Sequence, residues 1–331
     1  MTDAQVYCSV KDVLESVKAS GESRDLMRYI RTASQYIQRH IGQFLPILET
    51  RYIRPSYGNT IIIGPALEII SVSEDGTAVT GYEEDPYGGA WRNGPITTLE
   101  RDDDLLWTEK LSVSAKWGFY LEERTLGISA TQLIGDTTLA ATDGGILSPG
   151  MVVGLGDEME LITAGNGGPG SPAATAATSK LDGAISADDD VITVDNGAEF
   201  HEGEVIVIGG EDIHLIKRNG HIWSVDRGWN GTSRASHDDE AAIAVYRTYA
   251  VERGVNGTSA AAHTSAAISR FMVPDDVLYL CVEMTVLMMQ KAGTMFGGRA
   301  GNTNEGEAFF VNEFPTQQIE KVKSNYWLPY L

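Results

Sequence analysis

The sequence predicts an α+β fold, in which the N- and C-terminal helices form a helical bundle core and β-rich segments are inserted between them. Three observations predict it. Both ends of the 331-residue chain carry apolar residues at helical spacing. In the long central part of the chain, apolar and polar residues alternate with a period of two, and clusters of Gly, Pro, Asn and Asp separate these runs. The same part contains an internal repeat. We therefore expect a helical core at 1–49 and 272–331 and a β-rich region at 50–126, followed by two nested small all-β modules.

The late stretch Pro274–Gly293 predicts the central helix of that core. Its apolar residues occupy nearly every side, and the clear polar stripe is Asp276, Glu283 and Gln290, spaced by seven. A helix of this kind must be buried on almost every side. The uncharged run between Glu283 and Gln290 is far shorter than the roughly 20 residues of a membrane span. We expect it to pack against other parts of the chain or against other copies of it.

Two helices are expected near the N-terminus. Ser9 and Asp12 resemble a capping box at the start of the first helix, Ser9–Ala19. The second, Ser23–Ile41, has an apolar face that includes Ile30 and Ile37. Its arginines form either a solvated face or a contact with an acidic neighbour such as another copy. They are Arg24, Arg28, Arg31 and Arg39.

The internal repeat is the most specific pattern in the chain. The motif RGxNGTSxAxH occurs at 227–237 and again at 253–263, and each copy matches an upstream hairpin that begins at Gly203 or Gly150. Gly203 lies 24 residues before the first motif, whereas Gly150 lies 103 residues before the second. This difference indicates nesting. The predicted outer module is 127–164 and 248–271, the nested module is 184–247, and 165–183 is a flexible linker, because insertions are tolerated at loop tips.

The motif's own residues have simple structural interpretations. Asn-Gly at 230–231 and 256–257 favours turns with positive φ, which explains Asn-Gly-Thr without glycosylation. We interpret His237 and His263 as structural residues that bond a turn carbonyl, in preference to metal ligands. The acidic run 102–104 lacks a calcium-loop pattern and is interpreted as a hairpin tip.

Composition limits the partners. The formal net charge is −21, from 46 acidic and 25 basic residues, so the surface repels nucleic acid and anionic lipid. Two explanations stay open: a part that must not adhere to DNA, or adaptation to a salt-rich cytoplasm. Cys8 and Cys281 have no metal or disulfide-framework spacing, and we expect two reduced core thiols. The N-terminal residues show no signal-peptide pattern.

Enzymatic function is the disfavoured alternative. Acidic residues are too abundant for any pair to indicate a glycoside hydrolase. The sequence contains no nucleophile-elbow, zinc-protease, phosphate-loop or dinucleotide motif. We therefore predict no catalytic residues, no metal site and no cofactor.

The layout as a whole resembles a known family. The helices SVKDVLESV and RDLMRYIRTASQYIQRHIG, a β-rich interruption, a late helix that begins PDDV and a short terminal helix are similar to head-to-tail connector proteins. These are the adaptor, or head-completion, proteins of tailed phages and related archaeal tailed viruses. The repeat module resembles small β units of phage structural proteins. Compact adaptors lack the nested modules, so the resemblance leaves the role of those modules open.

The resemblance implies a ring of about twelve copies beneath the portal protein. Such a ring would lie in the virion neck, after assembly in the host cytoplasm. It would hold the tail stopper, terminator or other tail proteins and let DNA pass without specific binding, away from any membrane. The β modules would project toward the capsid or a fibre. The rival interpretation is another virion structural protein, from the tail, the baseplate or the capsid decoration.

The resemblance also assigns residues. The terminal segment would grip the portal, although packing on its own domain is the alternative; it comprises Tyr326, Trp327, Leu328, Pro329, Tyr330 and Leu331. The helical core would face neighbouring subunits. The residues expected at that packing are Ile30, Ile37, Leu278, Val282, Met284, Leu287 and Met288.

Overall fold

The protein is mostly β. The computed structural model describes residues 4–17, 26–86, 95–102, 105–119, 122–293, 299–300, 309–310 and 315–326. The strand content is 42% against 20% helix, and eighteen strands lie in three six-stranded sheets, beside four helices in the described residues. The prediction of an α+β fold with a helical bundle core is therefore wrong.

The helices form one layer on this β protein. They share a core with side chains of the β-barrel described below, including Val152 and Leu161, so the helices alone do not enclose their own core. The predicted capping box at Ser9 is confirmed, because the Ser9 N–H donates to Asp12 Oδ2 at 2.7 Å and the Asp12 N–H donates to Ser9 Oγ at 3.2 Å. The helices are α1 (Val10–Val17), α2 (Leu26–His40), α3 (Asp275–Gly293) and α4 (Thr316–Tyr326).

The first sheet is antiparallel and follows α2. Its strand order is β1-β6-β2-β5-β4, with β3 paired to β2. In β6 buried residues alternate with partly exposed ones, as a period of two requires. Trp107 and Trp117 are fully buried in its core. The strands are β1 (Ile47–Ile53), β2 (Thr60–Glu74), β3 (Thr77–Val79), β4 (Tyr82–Pro86), β5 (Ile96–Arg101) and β6 (Leu111–Trp117).

The second sheet closes into a barrel, which we call the outer module. Its order is β10-β17-β8-β7-β18-β9, so its strands come from two separate parts of the chain. Leu139, Tyr249 and Ile268 are fully buried inside it. The strands are β7 (Glu122–Gln132), β8 (Thr138–Ala141), β9 (Val152–Leu155), β10 (Glu158–Ala164), β17 (Thr248–Glu252) and β18 (His263–Met272).

The third sheet lies between those two parts in sequence, and we call it the inserted module. Its order is β11-β16-β13-β14-β15-β12. Ala164 pairs with Ala250, so the chain leaves and re-enters the barrel at neighbouring points. The first strand begins at Thr175, within the stretch predicted as linker. The strands are β11 (Thr175–Lys180), β12 (Val191–Thr193), β13 (Val205–Ile208), β14 (Glu211–Asn219), β15 (Ile222–Asp226) and β16 (Ala242–Val245).

Some predicted features fall outside the described residues, namely Arg24, residues 103–104 of the acidic run and residues 327–331. A short pair, β19 (Arg299–Ala300) and β20 (Phe309–Phe310), follows α3. Among the described helices, none is both long and apolar enough to cross a bilayer.

Candidate functional site

Each copy of the repeat motif is built around one buried carboxylate. In the inserted module this is Glu211, at the start of β14. Arg227 donates to its two oxygens from Nε and Nη2, at 2.8 and 2.7 Å, and His237 Nε2 lies 2.9 Å from Oε2. The N–H groups of Gly228 and Ala235 donate to the same carboxylate. Burial alone would raise the pKa of Glu211, but these hydrogen bonds outweigh it and lower the pKa to about 2.

The outer module repeats this cluster at Glu158. Arg253 donates to it from Nε at 3.0 Å and from Nη2 at 2.6 Å, and His263 Nε2 lies 2.9 Å from Oε2. The predicted positive φ at the Asn-Gly turns is confirmed, with 53° at Asn230 and 54° at Asn256. The prediction that the histidines bond a turn carbonyl is wrong, because their partner is a carboxylate. In each module, the arginine and histidine of the motif contact the glutamate of the upstream hairpin. These contacts hold the motif turn against the hairpin and stabilise the module.

Glu160 distinguishes the outer cluster from the inserted one. It is fully buried, and Ile213 holds its place in the inserted module. Arg253 Nε lies 3.0 Å from Oε1 of both Glu160 and Glu158, but its N–H is directed at Glu158. Burial, and then the negative charge of Glu158, raise the pKa of Glu160 to about 7. One arginine thus lies beside two carboxylates, and the pKa of the second, Glu160, is close to neutral pH.

A third carboxylate, Glu204, joins the two modules. It is fully buried and accepts hydrogen bonds from Arg247 Nε at 2.6 Å and from the Gly144 N–H at 3.1 Å. The buried hydroxyl of Tyr249 lies 2.7 Å from Asn166 Oδ1, beside the same junction. Burial raises the pKa of Tyr249, so its hydroxyl remains a donor. These contacts fix the inserted module against the barrel.

Two groups of side chains have the composition of a metal site. They are Asp143, His201 and Glu204, and Glu158, Glu160 and His263. In both groups an arginine already lies within 3.0 Å of a carboxylate oxygen. The guanidinium supplies the compensating positive charge that a metal ion would otherwise supply. We therefore interpret both groups as structural ion clusters.

A cavity lies between α1, the barrel and the inserted module. Its volume is about 530 Å³, within the range of ligand pockets. His214 stacks on Trp229 at one side, with ring centroids 4.3 Å apart and an interplanar angle of 24°. The rest of the lining mixes apolar and polar groups. It comprises Val10, Lys11, Leu14, Glu15, Gly145, Leu147, Ser148, Pro149, Gly165, Asn166, Gly203, Val205, Asp226 and Asn230.

His214 is a half-buried member of the cavity lining. Its Nδ1 is buried and has no hydrogen-bond partner among the described residues, and Asp226 Oδ2 is 4.0 Å away. Burial lowers the pKa of His214, so the ring is neutral at neutral pH. The arrangement suits recognition by stacking and hydrogen bonding.

The residues predicted for subunit packing divide into two groups. Ile30, Ile37, Val282 and Met284 are at most 7% exposed and lie in the core of a single chain. Leu278 and Met288 are partly buried and pack against that core. Leu287 is also partly exposed but lies outside the core cluster. The partly exposed group, Leu278, Leu287 and Met288, is thus the one within reach of another chain.

The terminal and basic residues are also divided. Tyr326 lies in the chain's own core, where its ring meets Phe44 edge-on and its hydroxyl donates to Asp276 Oδ1 at 2.6 Å. The other five residues of the predicted portal-gripping segment lie outside the described part of the chain. The exposed predicted arginines on α2 are Arg28, Arg31 and Arg39, and Arg31 contacts Glu252 of the outer module at 3.2 Å.

The two cysteines meet in the helical layer. Cys8 and Cys281 are free and buried, with sulfur atoms 3.1 Å apart. The hydrogen bond with Cys281, and then burial, raise the pKa of Cys8, so its thiol stays protonated. The contact joins the N-terminal segment to α3.

Comparison with known proteins found no matching family model, no similar curated protein and no similar solved structure.

Sequence reasoning missed two features of this region. The Glu-Arg-His cluster could have been predicted from the repeat, because both upstream hairpins carry a glutamate at the same position, Glu158 and Glu211. The cavity carried no local signal. Its lining comes from α1, two modules and the connection between them, which only the folded chain brings together.

Proposed function

We propose that this protein is a structural virion component, a head-to-tail connector that forms a ring beneath the portal. The ring, of about twelve copies, links the capsid vertex to the tail and leaves a channel for DNA. The proposal rests on the helices from both chain ends, together with a β-rich remainder suited to projecting from a ring.

The outer face of α3 is the feature that most favours contact with a neighbouring copy. Tyr279 is 72% exposed, and Glu283, Leu287 and Gln290 follow it on the same side of the helix. Leu287 is partly exposed to solvent and does not pack against the chain's own core. Burial of the apolar surface of Tyr279 and Leu287 is worth roughly 25 cal/mol per Å², so a neighbouring chain that covers these two side chains gains stability.

Charge supports the same arrangement. The chain carries a formal charge of −21, whereas Arg28, Arg31 and Arg39 are exposed along α2. An arginine face on an acidic molecule is complementary to the surface of another copy. An acidic channel also repels passing DNA, where a basic one would retain it through phosphate contacts.

The test is imaging of the purified protein with its portal protein. Negative-stain images of the mixture are expected to show a closed ring attached coaxially to one face of the portal. A protein that leaves the portal unchanged at micromolar concentrations of both components would overturn the proposal.

A second candidate is another virion structural protein, from the tail, the baseplate or the capsid decoration. The dominance of three six-stranded sheets over four described helices favours it. Native mass spectrometry distinguishes the two. A stable trimer supports decoration, and a larger ring or a monomer that assembles only on portals supports the connector.

A further inference from the structure

The N-terminal segment fills a groove on the outer module. The Ala4 N–H donates to Asn256 Oδ1 at 2.8 Å, at one end of the groove. At the other end, the backbone of Cys8 and Ser9 lies so close to Gly150 that a Cβ there would meet Cys8 O at 2.8 Å. Residues 4–9 thus run, without forming a helix or strand, from the motif turn to the start of the hairpin, and one tight turn lies within them, where the Val6 N–H donates to the Ala4 carbonyl oxygen at 3.0 Å.

The N-terminal segment and the rest of the helical layer cover the walls of this groove. Val152, Leu161 and Val255 are at most 2% exposed and belong to the core shared with the N-terminal segment. The carbonyl oxygen of Asn256 accepts a second hydrogen bond, from the Leu48 N–H at 2.8 Å. The turn residue therefore receives two backbone donors.

The inserted module has the same groove. Gly203 N donates to Leu215 O at 2.7 Å as Gly150 N donates to Ile162 O at 2.8 Å. In both modules the motif threonine accepts from the hairpin N–H at 3.0 Å. The equivalent pairs are Gly150 and Gly203, Val152 and Val205, Leu161 and His214, Val255 and Trp229, and Asn256 and Asn230.

All five inserted-module members of these pairs line the 530 Å³ cavity. The cavity therefore lies where the filled groove lies in the outer module, with α1 along one side. Asn230 Nδ2 donates to Asn166 O and Asp212 Oδ2, but its Oδ1 and carbonyl oxygen accept no hydrogen bond from any described residue. These are the two atoms that receive backbone donors at Asn256.

We propose that this groove binds an irregular polypeptide segment from a second chain, in the way that residues 4–9 bind the outer module. The segment donates one backbone N–H to Asn230 Oδ1, as Ala4 donates to Asn256 Oδ1. It lays a side chain against His214 and Trp229, which replace the aliphatic Leu161 and Val255 of the filled groove. Aromatic walls favour an aromatic side chain in an offset-stacked or edge-on arrangement. The inference does not depend on ring formation.

The probe is a synthetic, end-blocked peptide of residues 3–9 with serine in place of Cys8, titrated into the full chain and followed by fluorescence anisotropy. The control peptide carries Ala4→Pro, which removes the N–H that Asn256 receives. The control protein is Asn230→Gly, which keeps the positive φ and removes Oδ1. We expect saturable binding that each change weakens by about 5–10-fold, the effect of one hydrogen bond.

Because both changes remove the same hydrogen bond, their combination should weaken binding no further. The double variant His214→Leu, Trp229→Val recreates the lining of the filled groove and should bind this peptide several-fold more tightly. Hydrogen exchange should slow at 203–205 and 229–231 when peptide is bound. Absence of saturable binding to both the wild-type protein and the folded double variant at millimolar peptide overturns the proposal, as do additive losses. Peptide binding and hydrogen exchange can be measured whether or not the protein forms a ring, so failure of the connector proposal would not affect this test.

Discussion

At the residue scale, two buried glutamates with opposite pKa shifts lie in equivalent hairpins. Glu211 is surrounded by donors, whereas Glu160 shares a single arginine with Glu158. Both side chains are at most 2% exposed, but hydrogen bonds outweigh burial at Glu211, whereas burial and the charge of Glu158 dominate at Glu160. Replacement by glutamine, which keeps the shape and removes the charge, should therefore have opposite effects at the two sites.

Glu160→Gln should stabilise the protein above neutral pH. The pKa of this carboxyl rises on folding from 4.5 to about 7, so the folded state holds a proton that the unfolded state releases. The free energy of unfolding therefore falls as pH rises from 4.5 to about 7. Glutamine removes this loss, and we expect a gain of about 1–3 kcal/mol at pH 8 with little change at pH 4.5. Urea titrations at the two pH values measure it, and an equal effect at both would contradict the assignment.

Glu211→Gln should destabilise the protein at neutral pH. The folded-state pKa is lowered from 4.5 to about 2, so this stabilisation is complete above pH 4.5 and is lost as pH falls toward 2. Glutamine also leaves the buried charge of Arg227 without its partner, and such losses cost about 3–5 kcal/mol. The expected result is a clearly lower urea midpoint at pH 7, and an unchanged midpoint would show that the cluster is not structural.

At the element scale, the helices were easier to locate than to interpret. The caps, the three-and-four spacing and the terminal glycines place α1 to α3 within a few residues of their predicted positions. The predicted role of Ile30 and Ile37 at a subunit interface did not anticipate that α3 and the barrel cover them. A periodic apolar face shows that a helix is buried, but it does not identify what buries it.

Leu287→Glu tests the exposed face of α3. Its side chain is partly exposed and lies outside the core cluster, so the folded monomer should lose less than about 1 kcal/mol. A second charge beside Glu283, in place of an apolar contact, should prevent ring formation, which size-exclusion chromatography with light scattering detects. The matched control, Ile222→Glu, makes the same kind of change at an apolar side chain of the inserted module that is 51% exposed, and it should assemble normally. Normal assembly of the Leu287 variant would exclude this face as the interface.

At the scale of the whole molecule, the inserted module has a core of its own, whereas the outer module shares a core with the helices. Met159 and Val255 of the barrel lie in the core of the helical layer, so the helices need the barrel to bury their apolar faces. The inserted module has its own core around Phe200 and Trp223. The repeat spacing reveals the insertion in the sequence, but not that the host barrel supports the helices, because that contact leaves no periodic signal.

Replacing residues 167–246 with a short Gly-Ser linker should leave a folded, assembling protein. The ends are close, since Ala164 pairs with Ala250. We expect a cooperative thermal transition and the same oligomer as the full chain, although Arg247 loses its partner Glu204. Removal of residues 127–271 should instead abolish folding, because it uncovers the helical core. A shortened chain that cannot fold would show that the inserted module is integral.

The position of the protein in the assembled particle tests the central claim most directly. Cryo-electron microscopy of virions, reconstructed around the portal vertex, should show a closed ring of this chain between portal and tail. In it, the exposed face of α3 should contact the neighbouring copy. Finding the chain on the capsid surface, at the distal tail or as isolated copies would contradict the account.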